Sequence, residues 1–443
     1  MNYYRRNIDN ELLKWKDSRL HKPLIIRGAR QVGKSSAVQN LARQFDYFAE
    51  INLEKRPELR NVFDDNIDVQ RICQLLGATL HTPIIPGKTL LFIDEIQSCT
   101  PAIQSLRYFW EEMPDLHVVA AGSLLEFALE EIASFAVGRV RSIYLYPFSF
   151  KEFMLSQGLD AQIDIVAECL QDMKPVPEPI HRNMCDQLRT FYLVGGMPEA
   201  VRTWNQTKDF IECGHVQSDI IDSYQQDFAK YKKRANPDLL RQVFRSVAQQ
   251  AGNKFVSAQA SRELPSAAIK DALHMLTLAG IVCPCIHTSA NGLPLGAEVN
   301  DRYVKYLLMD NGLMQNLLSL KAQEILLSDN TSFVNKGPFS EVFAGLELLK
   351  GQDSFRKGEL YYWQNTDKGT QGEVDYLTVI NGDIIPIEVK ASTQGSMQSL
   401  YNFMRKHHSP YGIRTSMENI SVYRNGELTV RTIPLYAISL VSN

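Results

Sequence analysis

Apolar positions along this chain come in three patterns: unbroken runs, period-two alternations and helical spacings. Their order sets the first expectation of the fold. PLIIR, starting at Pro23, is a short apolar run of the kind a buried strand makes, and the AVQNLARQF that follows has a helix-compatible spacing. TLLFIDEIQ, Thr89 to Gln97, is a continuous apolar run ending in two acids, as expected for a strand covered on both faces of a parallel sheet. LHVVAAGS gives a further strand and LLEFAL opens a helix. Between 156 and 235 the pattern is mostly helical, with a break at Gly195-Gly196-Met197-Pro198. NPDLLRQVFRSVAQQAG, FVSAQASREL and PSAAIKDALHMLTLAG read as three helical stretches. IVCPCIH and YVKYLLMD, around a Gly/Pro-rich turn, then read as a β-hairpin, an order that fits a winged helix. Finally, GEVDYLTVINGDIIPIEVKAS reads as two alternating strands about Asn381-Gly382, preceded by the helix SEVFAGLELLKG.

At 443 residues the chain exceeds what one core organises. The patterning divides it at 1–155, an α/β domain; 156–235, a helical lid or connector; 236–330, the winged helix; and 331–443, a second α/β domain. Hydrophobic residues are 44% and charged residues 22%, as in ordinary globular proteins, and a formal net charge of -3 gives no global signal for polyanion binding. MNYYRRNIDNELLKWK lacks the apolar core of a signal peptide, and no apolar run approaches the roughly 18 residues that span a bilayer. The expectation is a cytoplasmic protein with no membrane association. Of the seven cysteines, only Cys283 and Cys285 are close; as alternate residues of a strand they would share a face, as packing thiols or as a metal or redox pair.

GARQVGKS, Gly28 to Ser35, fits GxxxxGK[ST] with a strand before it and a helix after it. In that context Gly28, Ala29, Arg30, Gln31, Val32 and Gly33 turn backbone amides toward phosphates, with Lys34, Ser35 and Ser36 at the helix start. Lys34 would reach the β/γ-phosphates and Ser35 would ligate Mg²⁺. A glycine turn that binds nothing is the plain alternative. Asp94 is placed to hold the Mg²⁺ shell and Glu95 to polarise the attacking water as general base, unless the pair is only a solvated strand end. Ser123 either senses the γ-phosphate or caps the helix after it. Arg139 and Arg141 either stabilise transition-state charge, in cis or from a neighbouring subunit, or form structural ion pairs.

GARQVGKS, LLFIDEIQ, the GR ahead of YPFSFKEF, and YLVGGMPEAV resemble the bacterial and archaeal ATPases of the AAA superfamily that carry a domain of unknown function, DUF4143, at their C-terminus. The resemblance implies a P-loop NTPase core with a parallel sheet, a helical lid, a winged helix and a restriction-endonuclease-like terminal domain. It also implies ATP over GTP. Ser35 stands where the family's usual threonine follows the P-loop lysine, and keeps the metal-binding hydroxyl.

Period two places Glu373 and Asp375 on one face of the first hairpin strand, and Glu388 and Lys390 on one face of the second. Glu341 lies on the helix upstream. The set resembles the PD-(D/E)xK nuclease pattern. By that match Asp375 and Glu388 hold metal, Glu341 assists, and Lys390 positions the nucleophile or stabilises the phosphorane. A hairpin with solvent-facing charges is the alternative. KYKKRANPDLLRQVFR, Lys230 to Arg245, holds six basic side chains against Asp238, as a solvated helix face or a phosphate contact. In the third helix Lys270 and His274 are opposed by Asp271, which suits protein packing better than a DNA groove.

These readings converge on an ATPase using ATP and Mg²⁺, coupled to a DNA-related effector domain, with DNA, a protein partner and further copies of the chain as candidate partners. The alternative is a nucleotide-dependent switch whose C-terminal half is a catalytically inactive interaction module. A motor or clamp on nucleic acid is opposed by the net acidic chain and the poorly basic third helix.

Overall fold

A strand with helices on both faces is read from unbroken apolar runs, and the inner strands of the first sheet are of that kind. The computed structural model describes residues 3–63, 68–131, 138–231, 235–319, 337–365, 372–390 and 397–441. They fall into two units, Met1–Tyr146 with Asp353–Lys357, and Pro147–Gln352 with Gly358–Asn443. The first unit holds β1 (Leu24–Arg27), β2 (Tyr47–Asn52), β3 (Thr89–Asp94), β4 (His117–Ala121) and β5 (Arg141–Tyr144), all parallel, in the order β2-β3-β4-β1-β5. Thr89 to Ile93 and all of β4 are buried, because these strands lie inside the sheet. On one face Ile51, Leu91, Ile93 and Val118 pack against Ile72 and Leu76 of helix Val69–Leu80 and Ile103 and Leu106 of helix Thr100–Glu112. Each such fully buried aliphatic side chain contributes about 1.5–3 kcal/mol. Helix Val69–Leu80 starts where Asp68 accepts from the amides of Gln70 and Arg71, and stops at His81 with φ 52°.

In the second unit the stretch 147–231 is helical, with helices Phe150–Ser156, Asp160–Gln171, Glu178–Val194, Pro198–Thr207 and Phe210–Asp227. The Gly195–Pro198 break is held from elsewhere: the Gly196 amide donates to Asp310 Oδ2 at 2.5 Å. Helices Pro237–Gln249, Ser257–Ala260 and Ser266–Leu278 precede β6 (Val282–Thr288) and β7 (Val299–Leu308), an antiparallel pair. Lys270, Asp271 and His274 are exposed on the third of these helices, as are Arg241 and Arg245 on the first; Lys232, Lys233 and Arg234 lie outside the described residues. Cys283 and Cys285 are buried on β6.

The β6–β7 hairpin does not stand alone. β6 pairs in parallel with β8 (Leu360–Gln364), so one mixed sheet runs β12-β13-β11-β10-β9-β8-β6-β7. Its other members are β9 (Glu373–Ile380), β10 (Asp383–Val389), β11 (Gly412–Ser416), β12 (Ser421–Asn425) and β13 (Leu428–Pro434). Asn381 and Gly382 have φ of 52° and 87°, the two positive values that a tight hairpin turn with the sheet's own twist requires. Ile387 therefore pairs with Tyr376, and the same register sets Glu388 beside Asp375. No helix among the described residues is long and apolar enough to cross a membrane.

Candidate functional site

The nucleotide-site candidates gather because β3, β4 and β1 are neighbours and all end at the same sheet edge, where ligands bind in parallel α/β folds. β1 runs into Gly28, whose missing side chain is a requirement: a Cβ there would come 2.1 Å from the Leu145 carbonyl oxygen. Gln31 and Gly33 take φ of 65° and 98°, and helix Lys34–Ala42 follows with its N-terminus at the loop. Lys34 is only 8% exposed and turns back on the loop, donating to the carbonyls of Gly28 at 2.9 Å and Ala29 at 2.7 Å. Burial pushes its ammonium down to about 8, against the pull of Glu95 and Asp94.

Ser35 Oγ donates to Asp94 Oδ2 at 3.3 Å, and Asn52 Nδ2 donates to the same oxygen at 3.0 Å. Asn52 is there because the parallel register pairs it with Asp94. Desolvation, and after it the neighbouring Glu95, raises the Asp94 carboxyl above its ordinary range. The hydroxyl and carboxylate form the hard-oxygen set that Mg²⁺ takes, and Ser35 and Asp94 fit as its holders. Glu95, at φ 50°, turns its carboxylate the other way, toward β4: Oε2 accepts from Gln97 Nε2 at 2.6 Å, Ser123 Oγ at 3.1 Å and the Ser123 amide at 3.2 Å. Ser123, expected to sense the γ-phosphate or to cap the helix after it, donates its hydroxyl to Glu95. Ala29, Arg30, Val32 and Ser36 lie in the loop and first helical turn. Arg139 pairs with Glu111 at 2.5 Å and Arg141 lies over the Phe355 ring at 5.3 Å.

A second cluster forms in the other unit. Glu341 on helix Gly337–Lys350 and Glu373 and Asp375 on β9 each bring a carboxylate oxygen within 4.8 Å of the others. Lys305 of β7 lies among them, donating to Glu341 Oε1 at 2.7 Å and Glu373 Oε1 at 2.5 Å. Glu388 stands beside this trio and not within it. Its Oε1 accepts from Lys390 Nζ at 2.5 Å, and its Oε2 is buried without a hydrogen-bond partner among the described residues. Asp375 Oδ2 accepts from the Val389 amide at 2.7 Å. Desolvation raises Glu341, Asp375 and Glu388 above the usual carboxylate range, with lysines pulling each back: Lys305 acts on Glu341 and Asp375, and Lys390 on Asp375 and Glu388. Of the expected donors for a divalent ion, Glu341 and Asp375 lie in this trio and Glu388 beside it, while Lys305 already bonds Glu341 and Glu373.

Residues 20–154 match the family described as AAA domain, and 336–438 match a domain of unknown function, DUF4143. The chain carries an AAA domain at its N-terminus and a DUF4143 domain at its C-terminus. Between them, residues 185–324 match another domain of unknown function, DUF8612. An uncharacterised protein of Haemophilus influenzae is 24% identical over 329 residues, which cover 72% of this chain and 74% of that one. Among solved structures, the Aeropyrum pernix ORC1 protein in complex with DNA aligns with 71% of this chain and 92% of its own, at 10% identity and TM-score 0.28. Drosophila ORC bound to DNA aligns with 70% of this chain and 85% of its own, at 13% identity and TM-score 0.25. Scores this low carry no inference about the present molecule.

In the first unit, sequence reasoning missed Asn52 and Arg6. Arg6, 4% exposed, donates to the carbonyls of P-loop residue Val32 at 3.1 Å and Tyr146 at 2.7 Å. Nothing in the RRN context separates it from a surface arginine. In the DUF4143 domain it missed the approach of Lys305, although a lone lysine between apolar positions in YVKYLL was a usable signal.

Proposed function

We propose that the AAA domain binds ATP with Mg²⁺ and hydrolyses it by in-line attack of water on the γ-phosphate. The observation that carries this is the approach of Ser35 Oγ to Asp94 Oδ2 across the sheet edge, beside the Lys34 ammonium. Two segments 59 residues apart meet there with the donor types that the chemistry needs. Lys34 exchanges two neutral carbonyl acceptors for anionic phosphate oxygens, a stronger pairing for a buried ammonium. Ser35 and Asp94 hold Mg²⁺, which neutralises charge on the β/γ-phosphates. Glu95 takes the proton of the attacking water, its carboxylate oriented by the bonds from Ser123 and Gln97.

The second unit is then the effector arm, with DNA as its proposed ligand class. One observation favours the alternative, a nucleotide switch whose DUF4143 domain is an interaction module: Lys305 pairs with Glu341 of the expected metal set and with Glu373 next to it. The test of the ATPase reading is phosphate release and nucleotide binding by Lys34→Ala and Glu95→Gln. Lys34→Ala loses nucleotide affinity, while Glu95→Gln binds ATP as wild type does and turns it over at least about 100-fold more slowly. Equal turnover by Glu95→Gln and wild type removes Glu95 from its role. DNA stimulation of turnover, compared at two salt concentrations, separates a DNA effector from the switch.

A further inference from the structure

Lysine is among the residues least often fully buried, and then only with partners. Lys305 is 1% exposed. Its Nζ lies at hydrogen-bond distance from Glu341 Oε1 and Glu373 Oε1, with Asp375 completing the carboxylate trio. The Tyr362 ring, centroid 5.0 Å from Nζ, lines another side, and Cys285 stands opposite Lys305 in the β6–β7 register. Burial alone disfavours the charged form of this amine. Its bonds to Glu341 and Glu373 pair that charge and offset the cost. The group is an ammonium facing oxygen donors that belong to two separate segments, helix Gly337–Lys350 and β9.

We propose that the Lys305 ammonium is the resident cation of this cluster: it stands where a divalent metal would bridge Glu341, Glu373 and Asp375, and the wild-type chain takes no divalent ion there. A Mg²⁺ or Mn²⁺ ion needs those oxygens at about 2.0–2.2 Å. Glu341 and Glu373 already bond Nζ, so ion and ammonium compete for the same oxygens. Admitting both would set a double positive charge against a single one in a largely dehydrated pocket, where repulsion is weakly screened. The cluster therefore ties β7 to helix Gly337–Lys350 and β9 as an ion-pair network, while keeping the residues of a metal site. Removing the ammonium but not its stem exposes that site.

The inference stands apart from the ATPase reading, since it concerns a nucleotide-free chain. The experiment uses the full chain without nucleotide, Mn²⁺ alone as probe, and electron paramagnetic resonance to count bound ion. The proteins are wild type, Glu373→Gln, Lys305→Met and the double variant. Wild type and Glu373→Gln should bind the same amount of Mn²⁺, because any ion at Asp94 is common to both. Lys305→Met should hold one additional Mn²⁺ per chain, lost again in the double variant. Mn²⁺ bound by wild type and lost in Glu373→Gln overturns the proposal, as does a folded Lys305→Met that gains none. Should Lys305→Met not fold, the comparison of wild type with Glu373→Gln still decides.

Discussion

The hydroxyl of Ser123 donates to Oε2 of Glu95 at 3.1 Å, joining the ends of two adjacent strands, β4 and β3. The Ser123 amide and Gln97 Nε2 reach the same oxygen. The carboxylate that would act on water is thus fixed by side chains of its own unit, and this makes Ser123 a positioning residue. Ser123→Ala should lower kcat about 3–10-fold with KM for ATP nearly unchanged, since it alters the base and not phosphate binding. Steady-state kinetics check this split; a rise in KM at constant kcat would place Ser123 on the phosphate.

Arg6 fixes the P-loop from behind through Val32 O, at 3.1 Å. Arg6→Ala should weaken ATP binding about tenfold, or ~1.4 kcal/mol, because loop order lost in the free protein must be regained on binding. Calorimetric titration measures it. Arg6→Lys should recover only part, as one ammonium does not span both the Val32 and Tyr146 carbonyls as the guanidinium fork does.

Glu347 and Lys350 form a buried pair at 3.3 Å with side chains 1% and 6% exposed. Glu347 also accepts from the Phe150 amide at 3.0 Å, and Lys350 donates to the Phe148 carbonyl at 3.0 Å. Lys350→Met leaves a buried carboxylate without its counter-charge and should destabilise the chain by about 3–5 kcal/mol. Denaturant unfolding gives the value. The double variant Glu347→Gln/Lys350→Met should recover part of the loss, because no unpaired charge remains.

His117 stacks on His21 with ring centroids 3.7 Å apart and an interplanar angle of 7°. Its Nε2 lies 2.9 Å from the Lys16 carbonyl and so carries the proton, while its Nδ1 is buried without a partner. Burial pushes His117 down from 6.5 to about 4, the Lys16 carbonyl opposing, and His21 and the Lys16 ammonium acting with burial against Asp115. Between those values the unfolded chain binds a proton that the folded chain does not. The contribution of His117 is therefore complete above pH 6.5 and falls away toward about 4, by roughly 3 kcal/mol at the acid end. Melting temperatures of wild type and His117→Gln from pH 4 to 7 should converge as pH falls; parallel curves would remove His117 from the acid response.

What the sequence by itself determined is what short segments decide. The P-loop spans eight consecutive residues between a strand and a helix, so its contacts are set by neighbours along the chain. The apolar run Thr89–Ile93 required burial on both faces wherever it lay, and Asp94 and Glu95 had to emerge at its end. Asn381-Gly382 dictated the turn, and the turn dictated which residue of β10 faces which residue of β9. Period two tells which face a side chain takes, but not which strand lies alongside. Tertiary structure alone decided that Asn52 pairs with Asp94, that β6 joins β8, and that Arg6 reaches Val32. It also decided that Lys305 meets Glu341 and Glu373, 36 and 68 residues further on, within the acids that looked ready for a metal. Those contacts are set by strand register and by the pairing of buried polar groups across distant segments, and no local pattern carries either.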